Sequence, residues 1–214
     1  MPWRSIDTVL LDMDGTLLDL AFDNYFWLEL VPSHYAARAG LDVGEAKELV
    51  ARRSAELAGR LEWYCLDHWS RELDLDIAAL KWSHRHLISY LPGAARFLRA
   101  LRAAGKPLAV VTNAHPGTIS VKTAQTQLNR RVDTVVCSHD LAAPKESPEF
   151  WAELARRRPF DPERTLLVDD SVPVLETARA FGVRHTVAIR RPDSRLPARD
   201  IEGFPAVDGV ADLA

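Results

Sequence analysis

Five short apolar runs, each ending abruptly on polar residues, are what most limit the folds open to this chain. Thr8-Val9-Leu10-Leu11 stops at Asp12, Leu108-Ala109-Val110-Val111 at Thr112-Asn113, and Thr134-Val135-Val136-Cys137 at Ser138-His139. Thr165-Leu166-Leu167-Val168 stops at Asp169-Asp170, and His185-Thr186-Val187-Ala188-Ile189 at Arg190-Arg191. A strand with one wet face alternates apolar and polar residues. Runs this uniformly apolar suit strands covered on both faces, as in a parallel sheet. Helical spacing of apolar residues fills the intervals 92–104, 116–128, 146–157 and 173–181, with Gly105 and Gly182 placed as C-terminal caps. Strands alternating with helices of these lengths predict βαβ units and a doubly wound, Rossmann-like α/β domain with a parallel sheet.

Residues 21–90 read differently. They lack strand-like alternation and carry apolar residues at helical spacing together with Trp27, Trp63, Trp69 and Trp82. Gly40-Leu41-Asp42-Val43 and Leu73-Asp74-Leu75-Asp76 look like breaks between helices. The expected organisation is an α/β core of residues 1–20 and 91–214, with a small all-helical module, residues 21–90, inserted after the first strand. The tryptophans are expected to pack rather than to bind ligand. The tail 193–214 reads as loop plus a short closing element. A chain of 214 residues, 47% hydrophobic, is large enough for one substantial core and such a module.

Charge narrows the partners. The formal net charge is −3, without the basic surplus that neutralises a polymeric phosphate backbone, so nucleic-acid polymers are not expected as partners. A single small phosphorylated metabolite is compatible with it. Cys65 and Cys137 lie in apolar surroundings without metal-type spacing, and read as reduced, buried thiols. The first seven residues do not resemble a signal peptide, and no apolar run approaches the roughly 20 residues that span a bilayer. The expected compartment is the cytoplasm, with no membrane partner. Nothing in the sequence sets the oligomeric state.

Ligands of open α/β sheets bind beyond the carboxyl ends of the strands. At those ends stand Asp12 with Asp14, Thr112 with Asn113, Lys145 just past the third run, and Asp169 with Asp170. A carboxylate at a strand end, Asp12, can attack phosphorus and form an acyl phosphate, dividing one difficult hydrolysis into two easier steps. Asp14 can protonate the leaving oxygen and then deprotonate the attacking water. Gly15 permits the tight turn that aims both carboxyls at one point. Four crowded carboxylates repel one another without a cation, so Asp12, Asp14, Asp169 and Asp170 suggest a hard, oxygen-ligated ion such as Mg2+. Lys145, the Thr112 hydroxyl and the Asn113 amide would hold the phosphoryl oxygens.

At these residues the chain resembles the haloacid dehalogenase superfamily. The matching stretches are Leu10-Leu11-Asp12-Met13-Asp14-Gly15-Thr16-Leu17, Val110-Val111-Thr112-Asn113-Ala114, Lys145 within Ala143-Pro144-Lys145-Glu146, and Leu166-Leu167-Val168-Asp169-Asp170-Ser171. The resemblance implies Asp12 as nucleophile, Asp14 as acid and base, and Thr112 and Lys145 as phosphate binders. It further implies magnesium held by the Asp12 side chain, the Asp14 backbone carbonyl and the acidic pair, with Asp170 as the direct ligand. The helical insert resembles the cap that closes over the site in one subclass. Asp12 to Trp27, Trp63-Tyr64-Cys65-Leu66-Asp67 and Thr112-Asn113-Ala114-His115-Pro116 are similar to the bacterial GMP/IMP 5′-nucleotidase branch, which implies a purine nucleoside monophosphate as substrate. Asp23, Asn24, Trp27 and His115 are then the residues expected near the base. Asp23 or Asn24 would read its edge and Trp27 would stack on it. Phe22, Phe26 and Trp27 can equally form a packing stripe, and His115 can equally cap the helix that follows.

Other reactions fit less well. Carbon–halogen hydrolysis has no phosphate dianion to balance, and Asp14 followed by Gly15-Thr16 argues against it. A sugar phosphomutase shares the aspartyl-phosphate step but must shield it from water. Phosphonate cleavage needs a Schiff-base lysine, and Lys47 and Lys81 both look like residues of solvated helix faces. A non-catalytic scaffold of this kind would be expected to have lost Asp12, Asp14, Lys145 or Asp170, and all four are present.

Overall fold

The computed structural model describes residues 1–213. Each of the five apolar runs is a strand: β1 (Thr8–Leu11), β2 (Leu108–Thr112), β3 (Thr134–Cys137), β4 (Thr165–Asp169) and β5 (His185–Ile189). A sixth strand, β6 (Ala206–Val207), supplies part of the closing element expected of the tail. With two residues it is too short for any hydrophobic period, and backbone pairing with β5 alone defines it. Every pairing is parallel and the strand order is β3-β2-β1-β4-β5-β6.

The strands alternate between two apolar clusters, as a sheet covered on both faces requires. Val9, Leu11, Val110, Leu166, Val168, Val187 and Ile189 belong to one, and Leu10, Val111, Val136, Leu167 and Ala188 to the other. Helices α9 (Pro148–Arg157) and α10 (Val172–Phe181) complete the second cluster through Phe150, Trp151, Leu154, Val174, Leu175 and Ala178. Helices α7 (Ala94–Ala103) and α8 (Pro116–Thr126) cover the first. Fully burying a side chain such as Phe97 or Phe150 contributes about 1.5–3 kcal/mol. Gly105 and Gly182 follow α7 and α10 with φ of 67° and 112°, the left-handed conformation that ends a helix.

Between Ala21 and Leu87 every named element is helical: α1 (Ala21–Tyr25), α2 (Val31–Ala39), α3 (Val43–Leu57), α4 (Leu61–Tyr64), α5 (Leu66–Leu73), α6 (Ile77–Ser83) and a last 3-10 turn. A π-helical stretch, Phe26–Leu30, joins α1 to α2 just before Pro32, which has no N–H for a regular ladder. Both expected breaks carry caps. Asp42 and Glu45 form a reciprocal capping box on α3, while Asp74 ends α5 in the left-handed region and Asp76 caps α6. Phe22, Phe26, Trp69, Leu73 and Ile77 belong to the same apolar cluster as the first face of the sheet.

Three expectations need correcting. Of the four tryptophans, Trp69 is buried and Trp27 packs between Phe26 and Trp69, but Trp63 and Trp82 are exposed. Trp63 instead donates its Nε1–H to Ser54 Oγ, and the Arg85 guanidinium covers Trp82. Cys137 is buried while Cys65 is only half-buried, and both are free thiols. Lys81 is not on a solvated face: it is 1% exposed, because a carboxylate 58 residues away, Asp23, lies within 2.7 Å of its Nζ. Lys47 does lie partly exposed, paired with Glu29. Among the described residues, no helix is long and apolar enough to cross a membrane.

Candidate active site

Chain connections on the sheet change direction between β1 and β4, and that point of an open α/β sheet is where ligands sit. The register sets Leu11 beside Val168, so Asp12 leaves β1 next to Asp169 at the end of β4. On the other flank Leu11 pairs with Val110, so Thr112 ends β2 one step further out. Lys145 reaches the same edge from the loop after β3. Its Nζ donates to Asp12 Oδ1 at 2.6 Å and to Asp169 Oδ2 at 2.7 Å.

Asn113 secures that loop. Its Oδ1 accepts from Lys145 N (2.8 Å) and its Nδ2 donates to Glu146 Oε2 (2.8 Å). Trp151 Nε1 donates to the Lys145 carbonyl, anchoring the loop from beneath. Asn113, expected at the phosphate, thus has both ends of its amide engaged in placing Lys145. Thr112 Oγ1 accepts from Ala114 N at 3.1 Å and shapes the turn after β2.

The electrostatics suit a cation. One carboxylate oxygen from each of Asp12, Asp169 and Asp170 lies within 4.8 Å of the others. Burial drives the Asp12 carboxyl well above the usual range; Lys145 opposes this, and the charges of Asp169, Asp170 and Asp14 reinforce it. Burial and then the Asp169 charge push Asp170 up to about 7. Burial alone would weaken the Lys145 ammonium, but Asp12 and Asp169 reverse the sign and hold it above the ordinary lysine range. One buried ammonium among two buried carboxylates and the partly buried Asp170 makes a donor set that a hard divalent ion neutralises. Asp169 has both oxygens engaged, by Lys145 and by Ser171 N (3.0 Å). Asp170 is the less committed of the pair, its carboxylate lying 3.6 Å from Arg199.

Gly15 makes this approach possible. At φ 80°, a Cβ added there would lie 2.8 Å from Asp170 Cγ and 2.9 Å from Pro192 Cβ. Gly15→Ala is therefore expected to cost about 1–3 kcal/mol through backbone strain, before any effect of displacing Asp170. Thermal unfolding followed by circular dichroism checks this, and an unchanged midpoint contradicts it.

Sequence reasoning missed the surroundings of Asp14. Lys122, 1% exposed on α8, brings its Nζ to 2.5 Å from both Asp14 Oδ1 and Asp23 Oδ2. Asp23 Oδ1 in turn accepts from Lys81 Nζ. Burial would raise the Asp23 carboxyl, but Lys122 and Lys81 outweigh it and bring Asp23 down to about 2. The sequence carries no signal for Lys122: Thr118, Val121, Lys122 and Thr126 share the buried face of α8, but only Val121 among them is apolar. Tyr64, within the stretch that resembles the nucleotidase branch, donates its hydroxyl to Glu146 Oε1 at 2.7 Å.

The four residues expected near a base do not form one group. Asp23 has both oxygens on lysines, Asn24 Nδ2 donates to Asp193 (2.9 Å), and Trp27 packs on Phe26 and Trp69. His115 Nδ1 accepts from Gly117 N and so caps α8; its Nε2 lies 3.7 Å from Asp67 and its ring meets His139 edge to face.

A parallel α/β core, a helical insert after its first strand and an acidic strand-end cluster around a fixed lysine are the arrangement of a Rossmann-like hydrolase. Residues 6–182 match the family model for haloacid dehalogenase-like hydrolases, and the chain belongs to that family. It is similar to the GMP/IMP nucleotidase YrfG of Escherichia coli K12, with 40% identity over 206 residues, 96% of this chain and 93% of that one. Among solved structures it resembles a HAD phosphatase from Thermococcus onnurineus, with a TM-score of 0.82, 21% identity and 97% and 96% of the two chains covered. The L-2-haloacid dehalogenase of Xanthobacter autotrophicus shares the fold at a TM-score of 0.64, with 18% identity over 97% and 96% of the chains. The chain is thus an enzyme, a HAD-type phosphatase.

Proposed function

We propose that the chain hydrolyses purine nucleoside 5′-monophosphates of the GMP/IMP type, with magnesium, through an aspartyl-phosphate intermediate. The observation that carries the chemistry is Asp12 at the switch point of the sheet, held at 2.6 Å by Lys145 beside Asp169 and Asp170. The substrate class rests on the 40% identity, spread across nearly the whole of both chains, to a protein named for GMP and IMP.

In this reading an Asp12 carboxylate oxygen attacks phosphorus while the ester P–O bond breaks, and the leaving ribose oxygen takes a proton from Asp14. Asp14 then removes a proton from water as that water attacks the acyl phosphate. The aspartyl O–P bond breaks, Asp12 is regenerated and inorganic phosphate departs. Lys145 and Thr112 hold the phosphoryl oxygens, and Asn113 acts by holding the Lys145 loop. Asp12, Asp170 with its neighbour Asp169, and the Asp14 backbone carbonyl would hold magnesium. When bound, the ion supplies positive charge that offsets the crowded carboxylates and the phosphate.

Residues 21–90 serve as the cap in this reading, and base recognition falls to it and to the loop after β2. Asp23 is occupied by lysines and Trp27 packs between Phe26 and Trp69, so base recognition narrows to the Asn24 amide oxygen and the Nε2 edge of His115. Asp12, Lys145 and Thr112 are all buried, and polar contacts including Tyr64–Glu146, Asp23–Lys122, Asn24–Asp193 and Asp67–His115 join helical segment and core. Substrate entry then requires the cap to lift.

Phosphate release from GMP, IMP, AMP, pyrimidine monophosphates and sugar phosphates, each with Mg2+ and with EDTA, tests the reading. GMP and IMP are expected to give the highest kcat/KM, with turnover abolished by EDTA. Sugar phosphates ranking equal to them would remove the nucleotidase assignment, and full activity in EDTA would remove the metal.

A further inference from the structure

Asp14 is tied into a cluster with Asp23 and two buried lysines, Lys122 and Lys81, none of which the mechanism uses apart from Asp14 itself. We propose, on the basis of the reading of Asp14 as acid and base, that Lys122 is a positioning residue. Its ammonium, fixed from behind by Asp23, grips Asp14 Oδ1 and turns the other carboxyl oxygen toward the reacting oxygens.

The contacts support this in four ways. Lys122 Nζ is 2.5 Å from Asp14 Oδ1 and 2.5 Å from Asp23 Oδ2, so it bridges the two carboxylates. Asp23 already has its own cation in Lys81 at 2.7 Å, and a second lysine would be redundant if Asp23 alone needed neutralising. Lys81 is itself fixed, with Nζ 4.6 Å from the Phe26 ring centre and 5.2 Å from that of Phe22, so the assembly is rigid on the side away from Asp14. Finally, Asp14 Oδ1 is buried and has no hydrogen-bond partner among the described residues, so its tie to Lys122 is a close ion-pair contact, while the Asp14 side chain as a whole is 22% exposed. The gripped oxygen is therefore the inner one, and the exposed part of the side chain lies elsewhere.

Stability is a poor reason for this arrangement. Buried ion pairs lose desolvation energy that well-packed apolar residues would not, and they are often no more stabilising than such residues. Aiming the carboxyl is a better one, since misplacement of a reacting group by about 1 Å costs on the order of 100-fold in rate. Asp23 and Lys81 belong to the helical segment, whereas Asp14 and Lys122 belong to the core. The grip on Asp14 is thus complete only when the two parts are together, which couples readiness of the acid to closure.

The leaving group separates positioning from general damage. p-Nitrophenolate departs with little help from an acid, whereas an alkoxide, as in a nucleoside 5′-monophosphate or glycerol phosphate, needs the proton. The kcat/KM reports the step in which that proton is given. Lys122→Met, which keeps the stem and removes the charge, is expected to lower kcat/KM for an alkyl phosphate about 10- to 100-fold more than for p-nitrophenyl phosphate. Asp14→Asn is measured alongside on the same two substrates. If Asp14→Asn shows the split and Lys122→Met lowers both substrates equally, or neither, the positioning role is overturned and the acid role of Asp14 stands. If Asp14→Asn shows no split, the underlying reading fails and the proposal with it. Should Lys122→Met not melt as a folded protein, Lys122→Gln carries the same expectation and the same refutation.

Discussion

Asp12→Asn is expected to lower kcat for phosphate release on the order of 10⁴-fold or more, the scale seen when a covalent nucleophile is removed, while the protein stays folded. The side chain keeps its size and its Oδ1, so Lys145 still has an acceptor at that point and retains Asp169 at 2.7 Å. Burial already works against a charge at position 12, and the charges of Asp169, Asp170 and Asp14 add to it. Losing that charge is therefore expected to leave the melting temperature unchanged or raised. Steady-state hydrolysis of p-nitrophenyl phosphate, a thermal melt and a search by mass spectrometry for phosphate on the Asp12 peptide decide the matter. Near-normal turnover in a folded variant, or phosphate trapped on another residue, would falsify the nucleophile assignment.

Lys145→Met is expected to do what Asp12→Asn does not, and destabilise the protein. Among the described residues the lysine is the one cation in contact with both Asp12 and Asp169, and all three are buried. Removing one partner of a buried pair leaves an uncompensated charge and costs about 3–5 kcal/mol. For a chain of this size each kcal/mol moves the melting temperature by about 2–4 °C, which gives a fall of roughly 6–20 °C. Activity is expected to fall on the order of 10²- to 10³-fold with the lost phosphoryl contact. Millimolar MgCl2 should raise the melting temperature of the variant more than that of the parent, because the same carboxylates then lack their internal cation. A variant that melts like the parent without magnesium would mean that Asp12 and Asp169 are not held as a charged pair by Lys145.

Much of this molecule is legible along the chain. A strand of a covered parallel sheet is apolar at every position, so β1 to β5 declare themselves locally, and the polar residues ending them are where the site lies. The caps at Asp42 and Asp76 and the positive-φ turns at Gly40 and Gly182 are equally local, since the groups that bond are a few residues apart. Lys81 and Lys122 were not legible in that way. A lysine reads as solvated unless its counter-charge is known, and the counter-charges here, Asp23 and Asp14, lie 58 and 108 residues away. Asn113 is a milder case. The amide invites a phosphate contact in the sequence, but the fold brings Lys145 N and Glu146 to its two ends first.

Local chemistry along the chain settled β1 to β5, the helices α7 to α10 and the groups of chemical interest, because each depends on hydrophobic period or cap chemistry within about a dozen residues. Which strands are neighbours, that Lys145 lies between Asp12 and Asp169, and that Asp23 is an ion-pair partner of two lysines emerge from the folded chain alone. Those facts depend on the burial of charge, and a buried charge is tolerated only where distant parts of the chain deliver its opposite within hydrogen-bond reach.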